Sequence, residues 1–339
     1  MRNFLKISVC IIIVYTGILI SGSLKLFSYQ KKDFKALLEK VVLCPEVVNY
    51  WGIKEVESYR GEQKFYVKYE IVYLAPDRMW TKYIKPDKHS GREIIRKNKR
   101  LYTKDNRNGS FTLERGRYPT IDFEIKKENL KLLFKNYKIN FHEGEIVSNR
   151  ENTVFEIESR TCKKPRMKVW VDDETGLVMK FEKYFGDSKM LSYWFDEIKI
   201  NPTIDTNIFS FDELSEKKST DLKDYFSLES IEKEVDFPVI KSKEIAFGYV
   251  FYQGNITLRR NNKIVHLLYT DGLNNISIFI NRLSHRDRKR FDEGEINIRT
   301  ERGRTVISKI ENDVHLSLIG GLEKKDMMQI FFSLNNVGK

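Results

Sequence analysis

From residue 64 to 73 the chain alternates with period two: Phe65, Val67, Tyr69, Ile71 and Tyr73 share one face, while Lys64, Lys68 and Glu70 share the other. That is the pattern of a β-strand with one buried side. Further strands are predicted over 79–84, 92–97, 99–102 and 154–159. A hairpin follows, in which 167–171 and 177–183 flank the acidic turn Asp172, Asp173, Glu174, Thr175 and Gly176, with glycine available for a left-handed position. On its second strand Met179 and Phe181 alternate with Lys180 and Glu182, and a last strand over 191–200 sets Leu191, Tyr193 and Phe195 on one side. Ahead of these strands the period is helical: Phe34, Leu37, Leu38, Val41 and Val42 form one apolar face, begun by Asp33 as an N-cap and expected to stop before Pro45. Many antiparallel strands with one apolar face and few helices predict one large curved half-barrel sheet covered by helices.

The pattern then breaks. Residues 212–236 hold nine acids against four bases and no glycine, and read as an acidic linker followed by a short helix. Phe237 and Pro238 open a second region punctuated by Gly248, Gly254 and Gly272. There 267–270 and 276–280 flank a turn at Asp271, Gly272, Leu273, Asn274 and Asn275, and Val314, Leu316 and Leu318 alternate with His315 and Ser317 before Gly320 and Gly321. Met327, Ile330, Phe331 and Leu334 recur at the spacing of an amphipathic closing helix. The expected fold class is α+β, mainly antiparallel β. Its organisation is a signal peptide or membrane anchor over 1–30, a β-domain over 31–211, the acidic linker over 212–236 and a smaller α+β domain over 237–339.

The first 30 residues stand apart. Arg2 and Lys6 precede an apolar run from Ile7 to Ile20, and the 18 residues between Lys6 and Lys25 carry no charge. Both a cleaved export signal and an uncleaved anchor fit that length, and either places the rest outside the cytoplasm. The full chain of 339 residues carries a net charge of +12, of which +9 remains after residue 30. Export removes cytoplasmic nucleic acid as a partner and turns the basic excess toward an anionic envelope surface or an acidic protein. Two stretches concentrate it: 85–118, with eleven bases against four acids, and 282–290, with Arg282, Arg286, Arg288, Lys289 and Arg290 against one acid. Solvated strand edges and loops, where lysine guards against edge pairing, are the preferred reading of both stretches. Cys44 and Cys162 are either a pair in an oxidising compartment or two separate thiols.

Catalytic signatures are missing. The sequence holds no glycine-rich phosphate loop, nucleophile elbow, Cys-x-x-Cys pair or His-Glu-x-x-His helix, and no two of its five histidines are closer than 19 residues. No catalytic residue, metal ligand or cofactor is assigned. The carboxylates at 172–174 belong to a turn. The aromatic stripe offers more. Phe65, Tyr69, Ile71 and Tyr73 on one strand, with Met179, Phe181, Tyr193 and Phe195 on others, either form plain core or, where a curled sheet is left unfilled, line an apolar pocket for a lipid chain.

The run from Val169 to Glu182, Val-Trp-Val-Asp-Asp-Glu-Thr-Gly-Leu-Val-Met-Lys-Phe-Glu, resembles the hairpin of the lipoprotein-carrier-like domain that begins the RseB/MucB family, regulators of the sigma-E envelope stress response. Leu268 to Phe279, containing Tyr269-Thr270-Asp271-Gly272-Leu273, is similar to that family's Asp-Gly-Leu strand turn. Arg302-Gly303-Arg304-Thr305-Val306, then His315 to Gly320 and a final helix, resembles its closing segment. The resemblance implies a two-domain extracytoplasmic protein without enzymatic activity. Its large domain would be a half-open barrel that senses a lipid or acyl chain, and the protein would bind the outer segment of an anti-sigma factor, with Arg282, Arg286, Arg288 and Arg290 as partner-binding candidates. A lipid or lipoprotein carrier is the alternative, and the second domain is what separates the two.

Overall fold

The computed structural model describes residues 34–97, 100–104, 111–113, 123–142, 144–161, 164–210, 224–225, 227–259, 262–283, 294–301 and 304–335. The N-terminal segment, Asp33, Cys162 and Arg286, Arg288 and Arg290 therefore lie outside the described residues.

Helix α1 (Phe34–Val47) leads into a sheet built from β1 (Tyr50–Arg60), β2 (Gln63–Leu74), β3 (Arg78–Lys85), β4 (Glu93–Lys97), β5 (Arg100–Lys104) and β6 (Phe111–Leu113). After α2 (Leu130–Asn136) come β7 (Tyr137–His142), β8 (Ile146–Val147), β9 (Arg150–Ser159), β10 (Arg166–Asp172), β11 (Val178–Phe185) and β12 (Ser188–Ile200). The 12 strands run in the order β6-β5-β4-β3-β2-β1-β12-β11-β10-β9-β7, with β8 beside β9. Pairing is antiparallel between neighbours, and β1 joins the two halves by lying against both β2 and β12.

The inward face is the one the alternation singles out. Tyr69, Ile71, Tyr73, Met179, Phe181, Tyr193 and Phe195 are all buried in one core with Leu37, Leu38 and Val41 of α1. At about 1.5–3 kcal/mol per fully buried large apolar side chain, this stripe and the helix lying on it hold the sheet in its curl. α1 continues through Pro45 to Val47 instead of stopping before it. A proline so near the helix end forfeits one hydrogen bond only, and just past the helix the Val48 amide still donates to Cys44 O at 2.9 Å. The outward face carries a smaller cluster in which Phe209 closes over Val72, Ile95 and Tyr102.

The second sheet comprises β13 (Asp224–Tyr225), β14 (Glu244–Ile245), β15 (Tyr249–Arg259), β16 (Asn262–Thr270), β17 (Asn275–Arg282), β18 (Ile296–Glu301), β19 (Arg304–Glu311) and β20 (Val314–Gly320), in the order β13-β15-β16-β17-β20-β19-β18 with β14 beside β15. The short helix expected in the acidic stretch is α3 (Leu228–Glu232), whose cap Ser227 accepts the Ser230 amide at 3.3 Å. Helix α4 (Lys324–Asn335) closes the chain. Its predicted face, Met327, Ile330, Phe331 and Leu334, is buried against Tyr249, Leu267, Ile278 and Leu318. The protein is thus α+β and mainly antiparallel β, with a separate core in each sheet.

Two long strands escaped the sequence reading for a common reason. β1 turns Tyr50, Gly52, Lys54 and Val56 inward without a break in period, while its partner β12 bulges at Asp196 opposite the step from Ile53 to Lys54. A Cβ at Gly52 would stand 2.9 Å from the Phe195 ring, so the position excludes the apolar residue that alternation needs. β15 itself bulges between Phe251 and Gln253 and carries Gly254 and Asn255. Glycine and polar side chains on the inward face hide the apolar period in both strands, and in β15 the bulge also shifts it by one.

Candidate functional site

Beneath the C-terminal half of α1, the inward face is incompletely filled. A cavity of about 200 Å³ is lined by Val41 and Cys44 of α1, Tyr50 and Lys54 of β1, Tyr73, Phe123, Ile125, Tyr193 and Phe195, with Glu46, Arg96 and Glu124 at its polar margin. Its walls are aromatic and ordered. Tyr50 stacks on Tyr73 with centroids 5.2 Å apart and meets Phe195 edge-on at 5.6 Å. Phe123 stacks on Phe181 at 5.4 Å, and Phe181 on Tyr193 at 5.3 Å. The Tyr193 hydroxyl accepts the Phe123 amide at 2.9 Å, tying the 123–125 segment to β12. Lys54, 2% exposed, holds its ammonium 3.9 Å from the centroid of the Tyr193 ring and 5.2 Å from that of Phe195, a cation on the negative face of an aromatic wall.

Two titratable groups of this wall stay neutral at physiological pH. Burial, followed by the nearby Asp172 charge, pushes the Cys44 thiol up to about 12. Burial likewise pushes the Tyr73 hydroxyl up to about 12, and that hydroxyl lies 2.7 Å from Pro45 O and 2.5 Å from Pro76 O. A protonated, buried thiol is a poor nucleophile.

Of the eight pocket residues named from the sequence, Tyr73, Tyr193 and Phe195 face this cavity. Tyr69, Ile71, Met179 and Phe181 belong to the packed core around it, and Phe65 sits half-buried toward the other end of β2. Tyr50, Lys54 and Phe123 were missed. Lys54 left one usable signal, a lysine two residues before Val56 on the face that Tyr50 and Val56 mark as apolar.

A second constellation joins the two sheets. Lys164 Nζ lies 2.7 Å from Asp271 Oδ2, and both side chains are 0% exposed. The same ammonium donates to Phe247 O at 2.9 Å and stands 4.6 Å from the Tyr249 ring centroid. Tyr137 donates its hydroxyl proton to Asp271 Oδ2 at 2.6 Å and accepts from Asn274 Nδ2 at 2.7 Å. The second oxygen, Oδ1, receives the amides of Leu273 and Asn274 at 3.0 and 2.7 Å. Asn136 Nδ2 donates to Gly248 O and Asp271 O, each at 2.9 Å. Burial and then the Asp271 charge drive the Tyr137 hydroxyl far above its ordinary value, so it stays a donor. Gly272 has φ +105°, and a Cβ there would stand 2.7 Å from Leu133 N. Leu273 packs on the core of the first sheet. The Asp-Gly-Leu sequence, which reads as a plain strand turn, is the piece of the second sheet inserted into the first.

The remaining candidates are engaged locally. Asp172 accepts Arg150 at 2.6 and 3.0 Å and the Thr175 hydroxyl and amide at 2.6 and 2.9 Å. Burial raises its pKa, but the bonds from Arg150 and Thr175 outweigh it and hold the carboxyl below its ordinary value. Arg282 pairs with Asp236 at 2.9 Å on the surface. In the 85–118 stretch Lys85 pairs with Asp87 and Lys104 with Glu93. His315 lies 3.3 Å from Ser317 Oγ, and burial lowers its pKa. Among the described residues no cluster of three or more His, Cys, Asp and Glu could hold a metal ion, and no helix is long and apolar enough to cross a membrane.

Residues 89–210 match the family model of the MucB/RseB N-terminal domain. No curated protein matches the chain by sequence. Among solved structures, the fold is similar to MucB in complex with MucA(peri), with a TM-score of 0.60 and 13% identity over 88% of this chain and 97% of that one. It is also similar to the Pseudomonas aeruginosa MucA/MucB complex, at 0.58 and 12% over 87% and 95%, and to MucB alone, at 0.54 and 13% over 89% and 97%. The domain match falls on the cavity-bearing sheet, so residues 89–210 are similar to the MucB/RseB N-terminal domain, and the fold shared with MucB extends through the second sheet.

Proposed function

We propose that this protein is an extracytoplasmic regulatory binding protein: its half-barrel takes up a lipid or acyl chain, and the two sheets together bind the outer segment of an anti-sigma factor, controlling an envelope-stress sigma factor. The observation that carries the reading is the buried joint. A carrier of lipids needs the curled sheet and its cavity alone, whereas here a second sheet is locked onto that sheet through Lys164, Tyr137 and Asp271. The aromatic cavity supports the acyl part of the reading. MucB, whose fold this chain shares, has been captured with MucA, which supports the partner class. The charged run at Arg2 and Lys6 ahead of an uncharged apolar stretch supports export.

Two experiments test it. Protein purified from membranes carries a copurifying lipid or fatty acid detectable by mass spectrometry; an apolar extract containing nothing above a control protein removes the cavity's role. An exported acidic anti-sigma segment binds the full chain, and the triple change Arg286→Glu, Arg288→Glu and Arg290→Glu weakens that binding with a strong salt dependence. Unaltered binding by the triple variant sinks the basic patch as the contact surface.

A further inference from the structure

The wall of the cavity and the buried joint are two ends of one short stretch of chain. Phe123 and Ile125 line the cavity, and the Phe123 amide is held by the Tyr193 hydroxyl. A 3-10 turn over Lys127–Asn129 runs directly into α2. Leu133 of α2, fully buried, meets the Gly272 backbone where a Cβ would not fit. Asn136 at the end of α2 bonds Gly248 O and Asp271 O, and Tyr137 bonds the Asp271 carboxylate. Some 15 residues thus touch both features.

We propose that residues 123–137 couple occupancy of the cavity to closure of the joint between the two sheets. An apolar ligand that displaces the Phe123 ring from Phe181 also breaks the bond from the Phe123 amide to Tyr193. α2 cannot absorb the movement by sliding, because close-packed contacts do not deform continuously and the Leu133–Gly272 approach leaves no slack. The displacement reaches Asn136 and Tyr137, whose bonds hold the second sheet in place. By linkage the effect is reciprocal, so loosening the joint loosens the cavity wall. The identity of the natural signal rests on the lipid-binding reading; the mechanical coupling does not.

The test perturbs one end and reads the other by hydrogen exchange on the full chain. Asp271→Asn removes the counter-charge of Lys164, and Asn136→Ala removes two inter-sheet bonds without touching a charge, which keeps the test available if the first variant does not fold. Both are expected to raise exchange about tenfold or more at residues 130–137 and, with it, at 123–125, while β10 and β11 stay protected. Faster exchange at the joint with unchanged exchange at 123–125 overturns the coupling. So does unchanged exchange at the joint in a folded variant, since these bonds would then not hold it. A second arm adds dodecanoate to the wild-type protein and follows binding by calorimetry. Binding with altered exchange at 130–137 and 268–275 supports the proposal, and binding without it overturns it. Absence of binding counts against the lipid reading, and the variants then decide the coupling by themselves.

Discussion

The cavity and the joint both bury a lysine among tyrosines, and they treat it differently. At the joint Lys164 meets a carboxylate, a carbonyl and an aromatic face at once, and the lone pairs of Asp271 are filled by Tyr137 and two amides. At the cavity Lys54 lies over the rings of Tyr193 and Phe195 beside about 200 Å³ of unfilled space. A fully satisfied polar network specifies one arrangement, because each member removed leaves another buried and unpaired. An aromatic wall with free volume tolerates several arrangements. The joint is built to hold one geometry, whereas the cavity leaves its wall room to rearrange.

That contrast ranks the substitutions. Asp271→Leu leaves Lys164 charged and buried, and chemical denaturation is expected to show a loss of about 3–5 kcal/mol. Adding Lys164→Met should recover much of it, since a well-packed apolar pair is often neutral relative to a buried ion pair. Failure of the double variant to recover would mean that Phe247 and Tyr249 depend on the ammonium itself. Gly272→Val forces a branched side chain onto a φ of +105° and into Leu133, with an expected cost of about 2–3 kcal/mol. At the cavity, Tyr193→Phe removes the acceptor of the Phe123 amide, for about 1 kcal/mol, and is expected to change ligand affinity more than stability.

The Cys44 thiol supplies a pH test. Its pKa is about 12 in the folded protein against 9.0 for an unperturbed thiol, so its stabilising contribution is complete below pH 9 and is lost as pH rises toward 12. In a chain whose other cysteines are serine, iodoacetamide should label Cys44 slowly at pH 8 and rapidly once urea unfolds the protein; fast labelling in the native state would place the thiol at the surface. The smallest effect belongs to Arg282→Ala. It breaks a solvent-exposed pair with Asp236 and should cost below about 1 kcal/mol.

Much of the first sheet was legible because β2, β11 and β12 alternate cleanly, and α1 and α4 were legible from their apolar faces. β1 and β15 were not, since glycine and polar side chains on the inward face hide the period in each, and a bulge also shifts it in β15. The pocket was half legible: the aromatic stripe could be read, but which of its members face empty space depends on where α1 and Phe123 come to rest. The joint was hidden for a different reason. Tyr137, Lys164 and Asp271 are far apart in sequence, and each has an ordinary local explanation as a strand residue, a loop lysine or a turn aspartate.

The insertion of Leu273 into the first core also bears on how the chain assembles. A polypeptide delivered N-terminus first has all twelve strands of the large sheet available by residue 200, yet that core lacks Leu273, and Tyr137 lacks its acceptor 134 residues further on. Contacts of such long sequence separation form late. Until residues 271–274 arrive, Tyr137 and the core around it lack the Asp271 and Leu273 contacts they make in the finished fold, so this part of the second sheet acts as a completion step for the first.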